Sequence, residues 1–257
     1  MDFAQQLVNG VQIGSVYALV AIGYTMVYGI AKMINFAHGD IIMVGSYVAL
    51  LFFQSSGLPV WGVIAATAAV SAVLGVTIER LSYKPLRGGS RMSALITTIG
   101  VSLMLQNGFL LIFGSSPKPF PNHFTGEGFT LGGVTVSRLT AITLVVTVVL
   151  MVLLTLFVNR TRVGKAMRAV SEDQGAAQLM GINIDTSISI TFAIGSALAA
   201  VAAVLYSSTY PLINPYMGSM LGLRAFIAAV IGGIGVIPGA MIGGFIIGIA
   251  EALIKRY

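Results

Sequence analysis

Few residues in this chain have the type and placement to do chemistry. Its two histidines, His38 and His123, stand apart and it has no cysteine, so it offers no thiol nucleophile, no disulfide framework and no His- or Cys-based metal site. No cofactor is expected, and no stretch sets a nucleophile beside a positioned base, which argues against an enzyme. Three polar groups remain. The first is the turn Lys32-Met33-Ile34-Asn35-Phe36-Ala37-His38-Gly39-Asp40, which interrupts an apolar pair with an amide, an imidazole and a carboxylate. Two readings fit it. Irregular backbone at membrane depth survives only where protein or a water-filled cavity satisfies it, which makes Asn35, Phe36, His38 and Asp40, with Asn214 further on, a candidate gate or translocation path. Alternatively it is a cytoplasmic turn, with Asn35 capping the next helix and Gly39 supplying a permissive backbone angle. The second group, Tyr24, Thr25, Gln106 and Asn107, lies inside apolar runs and suits either a path or hydrogen bonds between helices.

The third group is the stretch from Asn159 to Asp185, which holds seven of the 22 charged side chains. From Val163 to Met180 the pattern predicts one short amphipathic helix. Ala166, Ala169, Val170, Ala176, Ala177 and Met180 are apolar or small, and Lys165, Arg168, Glu172 and Asp173 are charged. Its basic head could pair with anionic lipid, or the helix could dock a soluble partner. A source of work decides between them. An ATPase needs a phosphate loop of the form G-x-x-x-x-G-K-[ST]. Around Gly164-Lys165 the chain has Asn159 where the first glycine belongs and Ala166 where a hydroxyl should ligate magnesium. The interiors of the spans carry almost none of the acids or histidines of an ion relay. The chain therefore has no motor of its own, and a partner that supplies one would hold this helix.

These residues must be positioned by membrane-spanning helices. Of 257 residues, 56% are hydrophobic and only 9% charged, against roughly a quarter charged in soluble domains. The fold class is all-α, a polytopic transmembrane bundle forming one domain over residues 1–257. A charge at the bilayer centre costs at least ~2.5–3.5 kcal/mol, so charge-free runs mark the spans. They cover 3–31, 41–78, 92–117, 139–159, 186–223 and 225–250. Gly57 and Pro59 split the second run, and Pro211, Asn214 and Pro215 interrupt the fifth, giving about eight spans. The first 31 residues read as a retained helix and not a cleaved signal.

Lys and Arg collect at 79–91 and 160–168, which places both loops in the cytoplasm and the proline-broken loop 115–137, with Lys118 and Glu127, outside. The net charge of +6 thus reports topology and no nucleic-acid partner. Near the end of the sequence, Gly235, Gly239 and Gly243 stand four residues apart and Gly244 and Gly248 repeat the step, a pattern that packs helices closely in lipid. Pro238 makes this run either two short helices or one kinked helix. Arg224 and Glu251 flank it as interfacial or snorkelling residues.

Several of these stretches resemble a known family. Ala176-Ala177 followed by Gly181 is similar to the Ala-Ala-x-x-x-Gly core by which bacterial ABC importer permeases grip their ATPases. Gly164 to Ala169, Ala176 to Asn183, Gly29 to Asp40, Ile213-Asn214-Pro215 and Gly232 to Leu253 resemble the branched-chain amino acid (Liv-type) permeases along nearly the whole chain. Gly175 departs from the glutamate that opens the loop motif in many other ABC importers, and the family continues with a further apolar segment beyond the position of Tyr257, so a truncated chain is expected. The resemblance implies a multi-pass permease of the bacterial cytoplasmic (inner) membrane. It would pair with a second related permease, two ATP-binding cassette ATPases and a periplasmic or lipid-anchored amino acid-binding protein, importing leucine, isoleucine and valine by alternating access. It also implies an ATPase-coupling loop at about 159–186 that uses Gly164, Lys165, Arg168, Glu172, Asp173, Ala176, Ala177, Gly181 and Asn183. The competing expectations are a urea, amide or other amino acid permease, an ion-coupled carrier built on Asp40 and Glu251, and a membrane scaffold.

Overall fold

A computed structural model describes residues 2–87, 89–121, 123–124, 128–131 and 134–256. Glu127 of the 115–137 loop and Tyr257, the expected stopping point, lie outside the described residues. Helices α1 (Asp2–Ala31), α2 (His38–Ser55) and α3 (Val60–Ile78) come first, and α3 runs on through a π-helical turn Glu79–Tyr83 and a 3-10 turn Lys84–Leu86. Next come α4 (Arg91–Phe113), the short strands β1 (Lys118–Pro119), β2 (Phe129–Leu131) and β3 (Val134–Val136), and α5 (Arg138–Arg160). The charged stretch forms α6 (Arg162–Glu172) and α7 (Gln174–Leu179), and α8 (Ile184–Thr209), β4 (Leu212–Ile213), α9 (Met217–Gly232) and α10 (Ile237–Ile254) complete the order. Six helices among the described residues are long and apolar enough to cross a membrane. With α2 and the shorter apolar α9 this agrees with the expected count of about eight.

Burial separates the centre from the rim. In α1 83% of the apolar window is buried and in α8 67%, against 22% in α4 and α5, so the first pair forms the core and the second faces outward. Small residues allow the core to close. A Cβ on Gly244 or Gly248 would collide with the backbone of Ala18 or Gly14, so α1 and α10 cross backbone to backbone. Gly243 meets the Ala228 carbonyl and Gly239 meets that of Gly232, which brings α10 onto α9 in the same way. Gly235 lies outside both helices, at φ +97° in the turn that separates them, opposite Gly29. The glycine-rich run is therefore two helices, and Pro238 sits harmlessly in the first turn of α10, where its missing N–H has no helical partner to lose.

Helix starts fall into two sets. Ser90, Ser137, Thr161, Asp173 and Asn183 accept from the backbone N–H three residues ahead and cap α4, α5, α6, α7 and α8. Helices α2, α3, α9 and α10 begin on Ala37, Pro59, Tyr216 and Val236 without any side-chain cap. Asn35 does not cap α2, contrary to one of the two readings of the turn, and the positive backbone angle there falls on Lys32 (φ 55°) instead of Gly39. Gly39 serves close packing, since a Cβ there would collide with the Gly218 carbonyl.

The bundle has two distinct ends. At one, β1 pairs antiparallel with β4 (Lys118 opposite Ile213) and the Gln5 amide donates to Thr135 O at 3.0 Å, joining the N-terminus to the 115–137 loop. At the other, Lys32, Asn159, Arg168, Glu172 and Pro238 line one cavity. That end gathers Arg80, Lys84, Arg87, Arg160, Arg162 and Lys165 as well, whereas Lys118, Arg138, Lys255 and Arg256 lie at the first. The split agrees with the orientation read from charge.

Candidate coupling surface and membrane path

At the charged end the expected single helix over 163–180 is two. Asp173 adopts an extended backbone (φ −148°, ψ 110°) that breaks the helix, and its carboxylate accepts from Ala176 N at 2.9 Å to start α7. Helix α6 folds back on α5 because Gly164 presses on the Phe157 and Val158 backbone, where a Cβ would collide, and Met167 and Val170 are buried beneath it. Arg168 donates to Asn159 Oδ1 at 3.1 Å, while Lys165 and Glu172 are exposed.

The Ala-Ala-x-x-x-Gly core has a physical explanation here. Gly181 (φ +79°) follows α7, its N–H donates to Gln178 O at 3.0 Å, and Ile182 N–H donates to Ala177 O at 3.0 Å. This paired reach-back is a Schellman motif, which places a left-handed residue at Gly181, and Ala177, whose carbonyl accepts the longer bond, is buried. It leaves Leu179 and Met180 91% and 82% exposed at the tip, beside exposed Ala176. Asn183 then caps α8 by accepting from Thr186 N at 3.0 Å, so the end of α7 and the start of α8 form one short stiff joint.

A charge cluster that sequence reasoning missed sits on the next turn. Asp185 pairs with Lys84 at 2.7 Å and with Arg87, and Arg87 also reaches Glu79, which is fully buried and accepts from Ser189 Oγ at 2.6 Å. The helix that follows the joint is thus bolted to the π-helical turn after α3. No local pattern could reveal this, because Arg87 and Asp185 are 98 residues apart.

Within the bundle, the turn 32–37 re-enters the core. His38 is 1% exposed, packed edge-on to Tyr24 (ring centroids 4.5 Å), with its Nε2 lacking a hydrogen-bond partner among the described residues. Asn35 is equally buried and both its side-chain polar atoms lack partners, as does Thr25 Oγ1. Tyr24, Thr25, Asn35, His38 and Phe226 border a small cavity with room for about one water. Phe36 lies 6.0 Å from Phe226, centroid to centroid. Asp40 is fully buried, and its Oδ1 accepts from Gln106 Nε2 at 2.9 Å. That nitrogen is also 3.0 Å from Ser102 Oγ and 2.9 Å from Ser219 Oγ, so its two hydrogens are shared among three oxygens. Asn107 instead bonds its own helix, donating to Leu103 O at 2.8 Å. Asn214 lies apart from Asn35, and its Oδ1 accepts from Tyr216 N at 3.0 Å.

Arg224 and Glu251 do not flank a span as separate snorkelling residues. Arg224 is in the middle of α9 and reaches Glu251 at 3.0 Å and Tyr17 Oη at 2.9 Å, and Tyr17 donates to Glu251 at 2.6 Å. An acid and a base inside apolar helices thus neutralise each other.

A bundle of helices long and apolar enough to cross a membrane several times defines a multi-pass membrane protein. The chain matches the family described as branched-chain amino acid transport system, permease component, over residues 6–257, and it belongs to that family. It is 48% identical to the high-affinity branched-chain amino acid transport system permease protein BraD of Pseudomonas aeruginosa, covering 97% of this chain and 85% of that protein. It is 47% identical to the corresponding permease protein LivH of Escherichia coli K12 (99% and 87% covered) and 26% identical to the ribose import permease protein RbsC of that organism (94% and 75%). No solved structure matches it.

Proposed function

We propose that this chain is the permease subunit of an ATP-driven importer of branched-chain amino acids in the bacterial cytoplasmic membrane. The names of its 47–48% identical relatives support the substrate class. The observation that carries the coupling role is the apolar tip of α7: Leu179 and Met180 stand free on a rigidly capped helix at the cation-rich end. An apolar tip held clear of the bundle suits a groove on a soluble ATPase, and Lys165, Arg168, Glu172 and Asp173 surround it with charge. On this reading two ATPase subunits grip the two permeases, a periplasmic or lipid-anchored binding protein delivers the amino acid at the opposite end, and a second related permease with membrane lipid covers the outward faces of α4 and α5. Movement of α7 passes through Gly181 and Asn183 into α8, and through Asp185, Arg87 and Glu79 into α3. Asn35, Phe36, His38, Asp40 and Asn214 then belong to the gate or path that these helices open and close.

Two measurements test this. Substituting Gly181→Glu, or deleting residues 172–181, is expected to release the ATPase subunits from the detergent-solubilised complex, and undiminished co-purification would refute the coupling role. Vesicles holding the whole transporter are expected to accumulate labelled leucine only with ATP inside and binding protein outside. Uptake driven by an ion gradient alone would refute the importer reading.

A further inference from the structure

Besides Asp2 at the first residue of α1, four acidic residues lie in the helical spans and their extensions, and one of these four differs from the rest. Glu79 and Asp185 share Arg87, Asp185 also has Lys84, and Glu251 has Arg224 and Lys255. Asp40 alone forms no ion pair among the described residues, although it is fully buried. Its carboxyl interacts with Ser102 and its Oδ1 accepts from the Gln106 amide, while Oδ2 has no hydrogen-bond partner among the described residues. An ionised carboxylate in such surroundings is costly unless a cation meets it.

What faces Asp40 is a second copy of its own turn. Ile34-Asn35-Phe36-Ala37-His38-Gly39-Asp40 and Ile213-Asn214-Pro215-Tyr216-Met217-Gly218-Ser219 share Ile-Asn-x-x-x-Gly and end on an acid in one and a hydroxyl in the other. Both fold alike, since His38 N–H donates to Asn35 O and Met217 N–H to Asn214 O, each at 3.2 Å. Both open a helix without a side-chain cap. Gly39 and Gly218 touch backbone to backbone, and Gln106 bridges Asp40 and Ser219. The first turn of the 16-residue α9 is the positive end of a helix, and an anion is favoured there. Ser219 is exposed, so this pair of helix starts lies just under the surface. A negative group and an anion-favouring helix start a few ångströms apart complement a zwitterion.

We propose that the junction between the first turns of α2 and α9, closed here by the contact of Gly39 with Gly218, opens to receive the charged end of a free amino acid. Asp40 takes the α-ammonium group, and the start of α9 with Ser219 takes the α-carboxylate. Gln106 is the group both displace. In this conformation Gln106 occupies Asp40 and Ser219, and the glycine contact holds the turns together. Entry of the substrate exchanges the shared amide hydrogens for its own charges and parts α2 from α9. This assignment rests on the reading of the chain as an amino acid permease.

The test uses the purified complex of permeases and ATPases without binding protein, probed with labelled leucine. Isoleucine is expected to compete. 4-Methylpentanoate, which lacks the ammonium group, and isopentylamine, which lacks the carboxylate, are expected to fail at a hundredfold excess. Asp40→Asn is expected to weaken leucine retention at least tenfold and to erase the discrimination against 4-methylpentanoate, with Asp40→Glu restoring part of both. Unchanged retention in Asp40→Asn, or competition by 4-methylpentanoate equal to that of isoleucine in the unaltered protein, would overturn the assignment. The second outcome needs no variant, so it decides even where Asp40→Asn does not assemble. A transporter that imports leucine with ATP but retains none without binding protein would overturn the site and leave the function standing. One that imports no leucine at all would overturn the function itself.

Discussion

The turns at 32–40 and 210–219 follow the same six-residue pattern and reach opposite states. In the later turn Asn214 accepts from the backbone N–H of Tyr216 at 3.0 Å, as an asparagine in a turn ordinarily does. In the earlier one Asn35 is swallowed by the core, and neither of its polar atoms, nor His38 Nε2 or Thr25 Oγ1 beside it, has a hydrogen-bond partner among the described residues. Local pattern sets the shape of a turn, and burial sets whether its polar groups serve the fold or stand ready for something else. The later turn is built for rigidity. The earlier one keeps unmet polar groups that folding alone does not explain.

The contrast can be broken most severely where the two turns touch. Gly218→Leu should drive a side chain into the Gly39 carbonyl, which is backbone and cannot yield, at a cost of more than about 3 kcal/mol and with loss of assembly. Gly100→Leu on the outward face of α4, where nothing lies within 4 Å, should leave the melting temperature of the purified complex nearly unchanged. Gln106→Leu should come next, losing the bridge between the turns for about 1–3 kcal/mol, read as a lower melting temperature. The two asparagines sharpen the comparison. Asn214→Ala should cost about 1 kcal/mol through its lost turn hydrogen bond to Tyr216 N, whereas Asn35→Ala should be neutral or stabilising yet slow leucine uptake. The smallest effects should come from the turn entries. Lys32→Gly relieves a left-handed residue (φ 55°) and should gain about 0.5–1 kcal/mol, while Tyr210→Gly (φ −117°) should lose a similar amount.

Much of this architecture was legible in residue order. Charge-free runs marked the helices, the clustering of Lys and Arg separated the two ends, and Ser, Thr, Asp or Asn stands at each capped start. The glycine at 181 was readable too, because a helix that closes in a Schellman motif takes a left-handed residue, usually glycine, just past its end. Periodicity alone concealed the break at Asp173, since its neighbours continue a helical pattern and only the side chain's turn toward Ala176 N ends it. Residue type allowed Asn35 to be a cap, one of the two readings of its turn, and tertiary burial overrode that preference. Arg224 looked like a boundary because a charge usually ends a span, yet Glu251 and Tyr17 neutralise it from helices distant in sequence. The doubled Ile-Asn-x-x-x-Gly pattern was visible in the letters, but a match so short gains meaning only once Gly39 and Gly218 are seen to touch.

The close crossing of α1 and α10 has a consequence for biogenesis. The element synthesised early and buried deepest completes its packing only when one of the latest leaves the ribosome. Throughout that interval the Gly10, Gly14 and Ala18 face of α1 must be sheltered by the insertion machinery or by lipid. A chain stalled before Ile237 would leave this seam open and present it to membrane proteases.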